Sequence, residues 1–399
     1  MNLFPNPGEN EEQYIWRLGQ AKENGLIDIT WTDIADLVNK YFHDEDEYFN
    51  ESAYRKPYSQ AKRFLDAGVF KDVDDKEKQD LVNLRHEIIK EKQLLFDERR
   101  DLKKMLRDEA RQERLLSTFT SELKELGEKK YSYTPPLTDV AYGGDRDMIV
   151  IISDPHFGAN FNHFTGQYNT EIADARMKAY LEKAIKVGHA NNVDKCYVVC
   201  LGDLISGNIH KTVSVTNSEN VVEQVKTACE SITHFVYWLS TEFNSVEVHG
   251  VSGNHSRLEA KDIASIDERL DMIIPWYVKN MLAHIPNVVV SENYVDNTAC
   301  TFRVYNKTYV GVHGDFDGMN ESAVNRLVTW LGEIPYCVLM GHKHYNAMTE
   351  INNIKVVQAG SLCGTGDEYT RQRRLIGKPE QMILICNKGE IEMYCPVEF

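Results

Sequence analysis

The pattern of apolar and polar positions divides this 399-residue chain near residue 147. Before that point apolar residues recur at helical spacing. Tyr14, Ile15 and Leu18 mark one face of EEQYIWRLGQAKENG, with Gly25 as a stop. Ile34, Leu37 and Val38 do the same in WTDIADLVNKYF, which Thr30 can cap. After an acidic turn, Ser52 opens a third helix, AYRKPYSQAKRFLDAG, carrying Arg55, Lys56, Lys62 and Arg63, although Pro57 is awkward inside it. Residues 74–128 then run without Gly or Pro until Gly127. A heptad frame places Leu81, Ile88, Leu95 and Leu102 at a, while Glu91 and Glu98 break the d seam. The Pro pair and Gly pair of YSYTPPLTDVAYGGDRD read as a linker.

From Met148 the period changes. Short β-branched runs (MIVIIS, CYVVCL, VEVHGVS, TYVGVHG, YCVLMGH, KVVQAGS, QMILICN) alternate with helical stretches, among them 171–190, 219–243, 263–285 and 325–334. That order predicts an α/β or α+β sandwich with helices outside and ligands at strand ends. The expected domains are a small helical, helix-turn-helix-like domain (1–73), a long helical or coiled-coil arm (74–130), a linker (131–146) and a catalytic domain (147–399).

Composition narrows the picture. Asp and Glu number 61 against 45 Lys and Arg, net −16, which argues against salt-driven nucleic-acid binding by the whole surface. A local basic groove, or bound metals supplying positive charge, stays compatible with it. Residues 1–73 hold 14 acids against 8 Lys and Arg, so their helix-turn-helix pattern fits DNA binding and a partner-binding bundle equally. In 74–130 the two signs balance at 15 each, which fits a solvated spacer or a homo-oligomerising arm. No apolar run approaches the ~18 residues of a membrane span, and MNLFPNPGENEE does not read as a signal peptide. Eight scattered cysteines without C-x-x-C predict reduced core thiols in a cytoplasmic protein.

Five predicted strands end in residues that bind metals: Asp154 and His156 in DPH, Asp203 in LGD, Asn254 and His255 in SGNH, His313 in VHGD, and His342 and His344 in MGHKH. Each unit alone is weak, because Gly-Asp is a common turn and a lone His is most often structural. As an ordered set across 147–366 they resemble the calcineurin-like metallophosphoesterase superfamily, closest to SbcD-type and phage-encoded DNA repair exonucleases. The resemblance implies a dinuclear site. Asp154, His156, Asp203 and His344 would hold metal one, and Asp203, Asn254, His313 and His342 metal two, with Asp203 bridging. The mixed N and O donors suit Mn, Fe or Zn better than Mg, and Mn is the expected ion, with Fe, Zn or Mg as alternatives. His255 would contact the scissile phosphate and protonate the leaving oxygen. The family's acid after that His is replaced here by Ser256, so Asp315 or Glu259 would have to orient it, or His255 serves more as a phosphate ligand. Arg257 offers a guanidinium to a phosphate oxygen. His210, in the loop after Asp203, corresponds loosely to an extra leaving-group histidine of the SbcD type. Arg371, Arg373, Arg374 and Lys378 form a late basic loop suited to a polyanion.

The expected function is therefore a metal-dependent phosphodiesterase acting on nucleic acid, most simply an exonuclease-like DNA nuclease. The alternatives are a phosphomonoesterase or small-molecule phosphodiesterase, and a DNA- or protein-binding scaffold with a structural metal site.

Overall fold

A computed structural model describes residues 2–44, 47–69, 75–128, 133–136, 144–209, 216–259, 261, 264–293 and 295–399. The chain divides into two compact units, residues 1–111 and 112–399.

The first unit begins with three short helices: α1 (Glu11–Glu23), α2 (Trp31–Phe42) and α3 (Glu51–Asp66). Side-chain caps fix where each starts. Asn10 and Gln13 form a capping box on α1, Thr30 and Asp33 one on α2, and Asn50, two residues before the expected Ser52, caps α3. Tyr14, Leu18, Ile34, Ala35, Val38 and Tyr54 are buried together between them. The third helix runs unbroken through Pro57, which has no N–H to give the Ala53 carbonyl. Buried Tyr54 and Tyr58 on either side pin it in place. Two of its four basic residues are already answered, Arg55 by Glu51 at 2.7 Å and Lys62 by Glu23. Next comes α4 (Asp75–Glu128), a single 54-residue helix. Its a-position residues Leu81, Ile88, Leu95 and Leu102 are 46–60% exposed, so the apolar seam lies uncovered.

In the second unit, β1 (Arg146–Ile152), the hairpin β2 (Phe161–His163) and β3 (Gly166–Tyr168), α5 (Thr170–Ala190), β4 (Val193–Cys200), α6 (Val221–Glu242) and β5 (Ser245–Gly250) come first. They are followed by α7 (Ile273–Met281), β6 (Val288–Val290), β7 (Ala299–Val304), β8 (Lys307–Val312), α8 (Glu321–Leu331) and β9 (Cys337–Met340). The chain closes with β10 (Ala347–Ile351), β11 (Ile354–Gln358), α9 (Glu368–Gln372), β12 (Glu380–Asn387) and β13 (Glu390–Glu398). One sheet has the order β13-β12-β1-β4-β5-β6, with β1, β4, β5 and β6 parallel; the other has the order β10-β11-β9-β8-β7, with β8, β9 and β11 parallel.

Alternation along β1 shows how the layers form. Met148, Val150 and Ile152 pack toward α5, α6 and α7, whereas Ile149 and Ile151 pack against Phe302, Tyr309, Leu339 and Val357 of the second sheet. The far face of that sheet buries Val310, Val338 and Met340 against Val324 and Leu327 of α8. The result is a four-layer α/β/β/α sandwich. All five residues Met148–Ile152 are fully buried, as a strand covered on both faces requires.

One expected helix is shorter than its apolar pattern. Between residues 263 and 285 only Ile273–Met281 is α-helical, preceded by two 3₁₀ turns, Ile266–Glu268 and Leu270–Met272. Pro275 lies in the first turn of α7, where its missing N–H costs nothing. The 3₁₀ turns aim Arg269 and Asp271 inward. Of the 131–146 linker, Tyr133 packs its ring 4.7 Å from that of Tyr237. The described residues contain no helix long and apolar enough to cross a membrane. All eight cysteines are free thiols, and seven of them are buried.

Candidate metal centre

The strands that end at the site are β1, β4 and β5 of one sheet and β8 and β9 of the other. Their C-terminal loops bring Asp154, His156, Asp203, Asn254, His255, His313, His342 and His344 to one edge of the sandwich. Five of these residues, Asp154, His156, Asp203, His342 and His344, hold left-handed backbone conformations with φ between 47° and 70°. Non-glycine residues rarely adopt that region, and clusters of them mark sites where function fixes the backbone.

The donors form two groups. Asp154 Oδ1 lies 3.2 Å from His344 Nε2 and 3.7 Å from His156 Nε2, and the two imidazole nitrogens are 3.3 Å apart. Asp203 Oδ2 lies 3.1 Å from His313 Nε2, which is 3.2 Å from Asn254 Oδ1, and the His342 ring stacks edge-on to His313 at 4.9 Å. Asp203 also belongs to a cluster with His156 and His255, so it faces both groups.

The residues fit divalent cations. Asp154 Oδ2 accepts from Ser153 Oγ and the His342 amide, but Oδ1 is buried without a hydrogen bond and faces the two imidazoles. The Nδ1 of His313 is 2.7 Å from the Leu201 carbonyl, so Nε2, aimed at Asp203, is the nitrogen that would give up its proton to a cation. Burial opposes charge on Asp154, His156, Asp203, His313 and His342. Even so, His344 and His156 hold Asp154 well below the usual carboxylate range, and His313 lowers Asp203 likewise. Asp203 in turn raises His313 to about 10 despite its burial. Burial, then the His313 charge, pushes His342 down to about 4. Two buried carboxylates that hold protons on neighbouring imidazoles this firmly have the electrostatics of a cation site.

The loops behind the donors are held by residues that sequence reasoning missed. Asp271, 1% exposed, accepts from the Asp203 amide at 3.0 Å, the Leu204 amide at 3.2 Å and the Gly253 amide at 2.8 Å, joining the β4 and β5 loops. Arg269 donates to the Ser252 and Gly253 carbonyls and pairs with Asp315 at 3.3 Å. Gln381 bridges Ser153 and Gly360. The clue to the first two was Pro275, which marks the start of α7 and frees the residues before it from a helix.

The remaining expected residues fall as follows. His255 is oriented by neither acid. Its Nδ1 lies 2.9 Å from the Ser206 carbonyl, and its amide donates to Asp203 Oδ1 at 2.7 Å. Asp315 is engaged by Arg269 instead, and the His255 Nδ1 meets a backbone carbonyl in place of a carboxylate. The backbone carbonyl fixes the ring without adding charge. Arg257 Nε donates to the Asn254 carbonyl at 2.7 Å. His210 lies outside the described residues. In the basic loop, Arg371 pairs with Glu368 and Lys378 with Glu398, each at 3.0 Å, and the Arg373 guanidinium sits 3.8 Å from the centre of the Tyr369 ring.

Residues 1–72 match the family described as the YonJ N-terminal domain. Over 370 residues the chain is 22% identical to the SPbeta prophage-derived protein YonJ of Bacillus subtilis (strain 168), covering 89% of this chain and 88% of that one. Similar solved structures include a novel archaeal phosphodiesterase (TM-score 0.33, 15% identity, 63% of this chain and 99% of that one). Another is zinc-complexed Vps29 from Entamoeba histolytica (TM-score 0.32, 14% identity, 63% and 98%). Scores of that size leave the site to stand on its own geometry.

Proposed function

We propose that this chain is a dinuclear-metal-dependent phosphodiesterase, with Mn as the favoured ion and nucleic acid, most simply DNA, as the substrate. The observation that carries the reading is Asp203, a buried carboxylate facing two donor groups at once. Two divalent cations held by these residues would supply the positive charge and the activated water that diester hydrolysis needs.

The chain's own residues do the rest. Asp154, His156 and His344 present one set of donors, and Asn254, His313 and His342 the other, with Asp203 between them. The Leu201 carbonyl fixes the His313 tautomer, so its Nε2 stays available. The Ser206 carbonyl holds His255 through Nδ1–H, so Nε2 is left as a contact for the phosphate and, when the ring carries both protons, as the proton donor to the leaving oxygen. The prophage setting of the Bacillus relative supports a nucleic-acid substrate. A small-molecule diester or monoester is the second reading, favoured by a cleft lining in which Lys343 is the one lysine among the described residues. Single-stranded DNA, duplex DNA, RNA and phosphomonoesters, each incubated with Mn²⁺, separate the two. Cleavage of a nucleic acid with little monoesterase activity is expected, and the reverse would replace the first reading by the second.

A further inference from the structure

His156, Asp203, Asn254, His255, His342 and His344 line a cleft of ≈ 330 Å³, a size suited to a small ligand or one unit of a larger one. The same cleft has an apolar wall. It is made by Phe161, Tyr345, Tyr369, Leu375 and Ile376, from the hairpin after β1, the turn after His344 and the segment around α9. The last four are 44–77% exposed. Single exposed apolar side chains are ordinary, but four facing one cleft beside a cation site form a surface that water covers at a cost. Two of the rings are held in place. Phe161 stacks on buried Tyr168 (5.9 Å between centroids, 24° between planes), and Arg373 covers Tyr369. Beyond the metal donors, Lys343 and Asp367 are the charged residues of the lining among the described residues, and they oppose one another in sign. Arg371 and Lys378, the cations that a polyanion would seek nearby, already face Glu368 and Glu398.

We infer that this wall is a subsite for one flat, weakly polar group joined to the scissile phosphate, a nucleobase stacked on Tyr345 and Tyr369. The inference rests on the phosphodiesterase reading and sharpens it. The site grips one nucleotide unit by stacking instead of tracking a long backbone by charge. Stacking of a base on an aromatic side chain favours binding by about tenfold or more. Contact with a single phosphate changes affinity only about threefold between ~50 and ~200 mM salt, whereas six or more contacts change it about a thousandfold.

The test uses the full-length protein with Mn²⁺. Calorimetry should show thymidine 5′-monophosphate binding about tenfold or more tightly than deoxyribose 5-phosphate, with the weak salt dependence given above. Tyr345→Ala combined with Tyr369→Ala should bring that preference to within about twofold of unity, and the double Phe variant should retain it. Ile376→Ser, at a highly exposed position, should reduce it partially without risk to folding. The dinucleotide TpT and its two single-abasic analogues, followed by chromatography, then read hydrolysis. Loss of one base should cost about tenfold in kcat/KM and loss of the other much less. Equal binding of the two monophosphates, an unchanged preference in the double Ala variant, or a steep salt dependence would overturn the subsite. Tight, Tyr-dependent binding of thymidine 5′-monophosphate without hydrolysis of TpT would uphold the subsite and remove the phosphodiesterase reading instead.

Discussion

Asp271 is the residue whose removal should report most clearly on how the site is built. Its two carboxylate oxygens take three buried backbone amides, those of Asp203, Leu204 and Gly253, at 2.8–3.2 Å. In Asp271→Ala all three lose their acceptor inside the protein. An unsatisfied buried amide costs about 1–3 kcal/mol, so the gross loss is at least about 3 kcal/mol. Part of it is offset. Burial and the Asp203 charge raise Asp271 to about 6, so removing the carboxylate also removes a repulsion. A net destabilisation of about 2–4 kcal/mol is expected in chemical denaturation of the full-length protein. Asp271→Asn can keep two of the three bonds by placing its oxygen between the Asp203 and Gly253 amides, and should recover about half the loss. Because the same amides fix the loops carrying Asp203 and Asn254, kcat on bis-p-nitrophenyl phosphate should fall about a hundredfold in Asp271→Ala, the scale of a ~1 Å misplacement. Unchanged stability together with unchanged kcat would refute the claim that this carboxylate positions the β4 and β5 loops.

Other consequences can be checked separately. Gly253→Ala would drive a Cβ into the amide and carboxylate of Asp203, neither of which can move without moving the site, so diesterase activity should be lost while far-UV circular dichroism stays native. If the uncovered seam of α4 joins two copies, multi-angle light scattering should give a dimer for the full-length protein and a monomer for residues 131–399 or for Leu81, Ile88, Leu95 and Leu102 all changed to Ser. A monomer throughout would leave α4 a spacer. If the first three helices guide DNA, deleting residues 1–73 should weaken duplex binding in a mobility-shift assay and spare hydrolysis of bis-p-nitrophenyl phosphate, and unchanged DNA affinity would reject that role.

The parts of this protein legible in its sequence are those with local causes. Met148–Ile152 reads as a doubly covered strand because every residue is apolar, and the Thr30–Asp33 box marks α2 directly. The donors were visible because each follows such a strand, and the sandwich aligns the strand ends. Edge strands were harder. In β10 the three central residues of AMTEI are exposed, and β13 carries Pro396 and a register shift against β12, so neither shows a clean two-residue period. The helix expected over 263–285 was overlong because Ile266, Leu270, Ile273 and Ile274 carry the helical apolar spacing back into segments that the chain winds as 3₁₀ turns. What orients His255 was illegible for a different reason. The Ser206 carbonyl that accepts its Nδ1–H is backbone, brought near by tertiary folding alone, and any residue type at position 206 would supply it. The cleft wall was hidden likewise, since Phe161, Tyr345 and Tyr369 come from three separate segments, β2, the turn after His344 and α9.

The most direct test of the account is hydrolysis of bis-p-nitrophenyl phosphate by the full-length protein, chelated and then reloaded with Mn²⁺, with metal content measured on the same sample. The account predicts about two ions per chain and turnover that returns with them, with both ions and turnover lost in Asp203→Ala and turnover lost in His313→Ala. Turnover that persists after chelation, or that survives both substitutions, would contradict it.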